Sequence, residues 1–386
     1  MGRPGPGVGP RPLVDGRPAP PGPGGAGRGR GTVPVLRGVL RVQSHAGRVG
    51  GVPGPVNPRR TALAWGLLVL PVPLLFLSLM LGRYGIGPER VWAALFGGDV
   101  PDVVRALILR VRLPRALAAA VVGANLSVAG AAFQGVFRNP LVESRILGVS
   151  SGAGLGAAVA LLAGGGLILQ PLAFAVGLSA AGLVALIGWA FGGGLLVLVV
   201  GGVLVDSFFS AILGLIKYVA DPLGTLPAIT YWLLGGLSTV RWADLLPLGV
   251  ASAIGLAFLL SVRWRLNLLA LGEGEATALG VRVGRFRLAV IAVGTLLTAA
   301  AVSVSGVVGW VGLIVPHAAR ALVGPDHMYL IPAAVGLGAS VVLLLDTLAR
   351  TALPTEIPLG VLTGLIGVPV FLVLFMRLLR RQGGWG

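Results

Sequence analysis

The chain reads as a succession of long apolar runs separated by short polar breaks. Runs with few or no charges cover residues 61–82, 116–137, 146–164, 171–191, 195–218, 243–262, 288–319, 328–346 and 359–376. A helix needs ~20 apolar residues to cross a bilayer. The uncharged stretch 146–205 is too long for two crossings and divides at the turn signals of residues 164–166 with Pro171, and of residues 192–194. The run 288–319 holds most of two crossings, broken near residues 303–306. The pattern therefore predicts an all-α polytopic membrane protein of about ten spans, with both termini on one side.

Several stretches depart from this pattern. Residues 1–60 are rich in Pro, Gly and Arg with Asp15 as the only acid, and predict a disordered tail ahead of a membrane domain over 61–386. It lacks the continuous apolar segment of a signal peptide. It reads either as a basic tail touching anionic lipid or as a dispensable extension. Residues 83–115 form a long mixed-charge connection carrying Arg105, Arg110, Arg112 and Arg115, and residues 221–241 form a second, with a short helix over 229–237. Residues 268–287 are a polar island between uncharged neighbours, with Glu273, Glu275, Arg282, Arg285 and Arg287 inside it. Glu273, Ala276, Leu279 and Gly280 recur at helical spacing between Gly272 and Gly284. That predicts a short helix with a small-residue face, either a docking surface for a soluble partner or an ordinary interfacial loop.

Composition narrows the chemistry. The net charge of +17 is almost all arginine, since Lys217 is the only lysine. Because the arginines flank apolar runs, orientation and headgroup contact explain them before nucleic acid does. Counting arginines at Arg138, Arg145, the island, Arg320 and the C-terminal Arg377, Arg380 and Arg381 places both termini in the cytoplasm. There is no cysteine, and His45, His317 and His327 do not cluster, so the sequence predicts no metal site and no cofactor. No Gly-Lys pair exists for a phosphate-binding loop, so any ATP-driven step needs an ATPase on another chain. Asn125 and Gln134 inside the second span read as helix-to-helix hydrogen bonders. Asp206 inside the fifth span is a site candidate by default: it either lines or gates a pathway, or pairs between helices, with Arg145 or Ser210 as partners.

The motifs in sequence order are Arg112-Leu113-Pro114-Arg115, Gln134 to Leu141 (QGVFRNPL), Leu147 to Ala153 (LGVSSGA), the island from Leu268 to Val281, Gly312 to His317 (GLIVPH), Gly324 to His327 (GPDH), Glu356 to Gly360 (EIPLG) and Gly367-Val368-Pro369. Together they resemble the permease subunit of iron-chelate (siderophore and haem) and cobalamin ABC importers, over residues 62–381. The resemblance implies a type II importer permease fold of ten spans and a dimer of like chains. It also implies two cytoplasmic ATPase subunits and an extracytoplasmic substrate-binding protein, in the cytoplasmic membrane of a prokaryote. The island then corresponds to the ATPase-docking coupling helix, centred on Leu271, Gly272, Glu273, Ala276, Leu279 and Gly280. Arg112, Arg115 and Arg350 match positions that meet acids of the binding protein. Asp206, Phe209 and Leu213 become candidates for the translocation pathway. Two departures stand out: the connection at residues 192–194 lacks the family's usual basic charge, and Asp206 falls where relatives carry small or neutral polar residues.

Two other classes compete with this reading. An ion-coupled secondary transporter needs buried ionisable groups in broken helices, and Asp206 alone is available. A membrane scaffold or receptor has no need of a coupling helix on one face and arginines on the other.

Overall fold

The computed structural model describes residues 57–381 except residue 193. The expected tail lies outside the described residues up to residue 56, and its last three positions are already helical. Helix α1 (Pro58–Val69) starts there because the Asn57 side chain accepts from the Arg59 and Arg60 amides while Pro58 fills the first turn. It runs through a proline break into α2 (Pro71–Met80). Two short helices follow, α3 (Pro88–Phe96) and α4 (Asp102–Ala106).

The expectation that residues 83–115 form a connection is corrected here. From Asp102 the chain is helical without interruption to Phe137, through a wide π turn at Leu107–Arg112 into α5 (Leu113–Phe137). The physical reason is Pro114. Its ring cannot tolerate the carbonyl four residues back in α geometry, and the wider turn, closed by the Leu113 amide on the Ile108 carbonyl, makes room for it. Arg112 and Arg115 therefore sit on a helix and not in a loop.

The remaining helices are α6 (Val149–Leu162), α7 (Leu169–Ala190), α8 (Leu195–Val219), α9 (Thr225–Leu233), α10 (Trp242–Leu271), α11 (Glu273–Ala278), α12 (Val283–Ser305), α13 (Val311–Val323), α14 (His327–Thr351) and α15 (Leu359–Arg381). The side chains of Arg377, Arg380 and Arg381 lie outside the described ones. Among the described residues seven helical segments are long and apolar enough to cross a membrane, and three shorter apolar helices accompany them. The short helix expected over 229–237 is α9, which ends earlier. The sixth span, expected to stop at residue 262, continues to Leu271, because Arg263 and Arg265 are good helix formers and no Gly or Pro intervenes before Gly272. At 1.5 Å per residue α10 is about 45 Å long against a bilayer core of about 30 Å, so it extends past the hydrocarbon.

Helix α5 is the axis of the bundle. It packs against α10, α12, α13 and α14 and is buried along nearly its whole length. Small residues allow this. A Cβ on Gly123 would overlap the Gly338 carbonyl of α14, one on Gly338 would overlap the Gly123 carbonyl, and one on Gly130 would overlap Gly312 of α13. The polar residues buried in α5 do what the sequence predicted: Asn125 donates to the Ser252 hydroxyl of α10 at 2.7 Å, and Gln134 to the Leu313 carbonyl of α13 at 3.4 Å.

Replacing Gly123 with leucine forces α5 and α14 apart. The expected cost is about 1–3 kcal/mol or more, read as a lower thermal midpoint in detergent. Gly66→Leu, where nothing lies within 4 Å of the new Cβ, leaves the midpoint unchanged.

Candidate functional site: two polar ends joined by α5 and α14

The C-terminal end of α10 meets the end of α5. Gly272 turns the chain at φ +132°, where a side chain would strike the Glu275 carboxylate, and α11 begins at once. Ala276 is fully buried, in the cluster that includes Leu268, Leu269, Val281 and Phe286. It anchors α11 from below and does not belong to a presented face, which corrects that part of the sequence expectation. Glu275, Thr277, Ala278, Leu279 and Gly280 face outward, with Leu279 59% exposed. Glu273 pairs with the Arg287 guanidinium of α12 and lies 3.9 Å from Arg138 at the end of α5. The Arg287 hydrogen bond, more than its charge, holds the Glu273 carboxyl below the usual carboxylate range. Gly284, expected as the far boundary, is inside α12.

Beside α11 sits a clasp that sequence reasoning missed. The Asn267 side chain of α10 donates to Asp326 at 2.6 Å and accepts from the His327 amide at 2.9 Å, while Asp326 caps α14 through the Met328 amide at 2.8 Å. The start of α14 is thereby tied to the C-terminal part of α10, just before α11. Nearby, in the turn after α5, the Glu143 carboxylate accepts the Trp310 amide at 2.9 Å and thereby supports Trp310 in a left-handed conformation, φ +69°. Burial raises the Glu143 carboxyl against the opposing pull of Arg145 and the Trp310 N–H.

The other end of α5 gathers the three expected arginines. Arg112, Arg115 and Arg350 line one open cavity of about 270 Å³ with Gly82, Arg83, Tyr84 and Glu356. Their states differ. Arg112 is 6% exposed and donates to the carbonyls of Leu79, Met80 and Tyr84, so it braces the turn after α2. Arg350 donates to the Leu81 carbonyl at 2.7 Å and to Ser78, with Asp346 3.8 Å away. Arg115 grips Asp346 of α14 with Nε at 3.0 Å and a terminal nitrogen at 2.8 Å, and also meets Glu356. Asp346 and Glu356 were the missed partners. Four arginines buried or crowded at a span's end demand counter-charges, and that was the available signal.

Of the expected pathway residues, Asp206 is exposed halfway along α8. Phe209 is buried in the core and meets Phe208 edge-on, so its ring is not on an open face. Leu213 is half-buried against the Ala158 and Ile229 cluster. The structure does not bring the three onto one open surface.

A sequence model described as the FecCD transport family matches residues 67–377. The chain belongs to the FecCD transport family. A molybdate import permease of Haemophilus influenzae, MolB, is 40% identical over 82% of this chain and 96% of its own length. The hemin permease HmuU of Yersinia pestis is 37% identical over 86% and 99%. The cobalamin permease BtuC of Halobacterium salinarum is 40% identical over 73% and 77%. A solved metal-chelate type ABC transporter in an inward-facing conformation is 39% identical, with TM-score 0.76 over 82% of this chain and 99% of that one. This FecCD chain is thus a multi-pass ABC importer permease subunit and not an enzyme. ATP hydrolysis belongs to a separate subunit.

Three outcomes follow for this FecCD chain. Asp346→Ala leaves Arg115 buried without its main partner and costs about 3–5 kcal/mol, seen as a collapsed thermal midpoint in detergent. Glu143→Gln keeps an acceptor for Trp310 and removes a buried charge. Because the Glu143 carboxyl is raised, its contribution to stability falls as pH rises past the ordinary carboxylate value. The glutamine variant loses that dependence and is at least as stable at neutral pH. Glu143→Ala orphans the Trp310 amide at a cost of about 1–3 kcal/mol.

Proposed function

We propose that this permease imports an iron chelate (siderophore or haem) or cobalamin across the cytoplasmic membrane of a prokaryote by alternating access. It works as a dimer of like chains with ten spans each, both termini inside, above two ATPase subunits and below a substrate-binding protein. The observation that carries the reading is α11: a short exposed helix on the projecting end of a 45 Å helix (about 30 residues at 1.5 Å each), braced by buried Ala276 and by the Glu273 pairs. A loop of no function needs no such bracing. ATP-driven closure of the ATPases moves α11. The Asn267–Asp326–His327 clasp and the Glu273–Arg138 contact pass that movement to α14 and α5.

At the opposite end, Arg115, Arg350 and the exposed Arg83 receive carboxylates of the binding protein, with Arg112 bracing them from beneath. Such charges govern the rate and salt sensitivity of docking more than the final affinity. Asp206 lies along the pathway, since a carboxylate at mid-membrane on a face open in its own chain needs water or a partner beside it. Leu213 and Phe209 support that helix from within. A second cargo class, an oxyanion, is favoured by the 40% identity to the molybdate permease over nearly all of that protein's length.

Co-expression with its ATPase tests the docking helix. Wild type copurifies with the ATPase and stimulates it in lipid. Glu273→Arg, which sets a third cation beside Arg138 and Arg287, and Leu279→Asp, at an outward-facing position, each reduce the copurified ATPase about ten-fold, a change of about 1.4 kcal/mol. The retained thermal midpoint of Leu279→Asp, which breaks no ion pair, excludes misfolding there. A wild type that binds no ATPase sinks the reading of α11 as its docking helix. Uptake of ferric chelate, cobalamin and molybdate by the same vesicles decides the cargo.

A further inference from the structure

The arginine cavity is not an empty cationic socket. Four arginines and two carboxylates gather there, an excess of two positive charges, and among the described residues only Arg115 and Arg350 contact the acids. The two carboxylates are held differently. The Asp346 side chain is 1% exposed, sits inside α14 and is bound by Arg115 through both of its oxygens. The Glu356 side chain is 25% exposed and sits in the short non-helical link between α14 and α15; among the described residues its side chain hydrogen-bonds to Arg115 alone. The backbone beneath it is pinned: the Ile357 amide donates to Ala349 at 3.0 Å, Leu359 to Gly235 at 2.9 Å, and Pro358 stiffens the link. Rotation of the Glu356 side chain alone would vacate the Arg115 guanidinium without moving a helix.

We propose that Glu356 is an internal occupant of the carboxylate site, the second acid on Arg115 beside Asp346, until a carboxylate of the docking protein displaces it. This rests on the reading of that end as the binding-protein surface, and adds a residue that sets its affinity. Burying Arg115 unpaired is costly, so Asp346 remains as a fixed counter-charge and Glu356 is the exchangeable one. The occupant is a protein rather than a small anion. The cavity is open, and its lining carries exposed Tyr84 and Val111, with exposed Leu353 three residues before Glu356 in the same link, which suit a protein contact. Competition of this kind lowers docking affinity while no partner is near, and so favours rapid release after each cycle.

The test uses the full chain in nanodiscs of uncharged lipid with no ATPase present, so it is independent of the copurification experiment. The probe is a fluorescent glutamate-rich peptide, with inorganic sulfate as the small-anion arm. Removing a partly exposed competing pair worth up to about 1 kcal/mol makes Glu356→Gln bind the peptide about three- to five-fold more tightly than wild type. Sulfate at equal charge competes poorly. Glu89→Gln, an exposed acid outside the cavity, leaves peptide affinity at the wild-type value and shows that the gain is not a general change of charge. As a second readout, a nitroxide on a cysteine placed at exposed Leu353, three residues from Glu356 in the same link and clean because the chain has no native cysteine, loses mobility when peptide covers it. Unchanged or weaker peptide binding by Glu356→Gln overturns the proposal. So does sulfate competing as well as the peptide, which would make the cavity a small-oxyanion site, and so does a nitroxide signal that ignores the peptide.

Discussion

Close backbone contact around α5 is the constraint on which the rest of the molecule depends. Lipid supplies no hydrophobic drive between helices, so association relies on packing and on buried hydrogen bonds. Gly123 against Gly338 and Gly130 against Gly312 bring α14 and α13 against α5 with no side chain between. Asn125 and Gln134 then reach α10 and α13 from the same helix. A bundle assembled this way is rigid along its axis.

That rigidity joins two polar ends. Helix α5 carries Arg115 at one end and Arg138 after the other; α14 carries Asp346 and Arg350 at one end and His327, behind its Asp326 cap, at the other. Each helix is 25 residues, about 37 Å, long. The Arg115–Asp346 pair ties the two rods together at the arginine end, while Glu273 and Asn267 tie them to α11 and α10. The charges at both ends follow one rule. A charge taken from water must be met by an opposite charge or a carbonyl, and here Arg112, Arg115, Arg350 and Arg287 all are.

The sequence made much of this legible. The helical membrane class, the break near residues 303–306, the polar island and the small-residue packing follow from hydropathy and glycine placement, both local in the chain. The ends of the apolar segments did not follow. Pro114 reads as a helix start, yet a π turn carries the helix through it. Arg263 and Arg265 read as the end of a span after Val262, yet the helix runs on to Leu271. Local rules cannot say whether a helix stops at the membrane surface or continues into water.

Pairing was the other thing hidden. The sequence by itself determined a polytopic helical membrane protein, its family and the polar island. Only the tertiary structure decided that Ala276 points inward, that Phe209 belongs to the core, that Arg112 is spent on carbonyls, and that Glu356 shares Arg115 with Asp346. Apolar periodicity is a property of neighbouring residues and survives in one dimension. Which acid meets which arginine across more than two hundred positions, as Arg115 does Asp346 and Glu356, is fixed by how the helices cross.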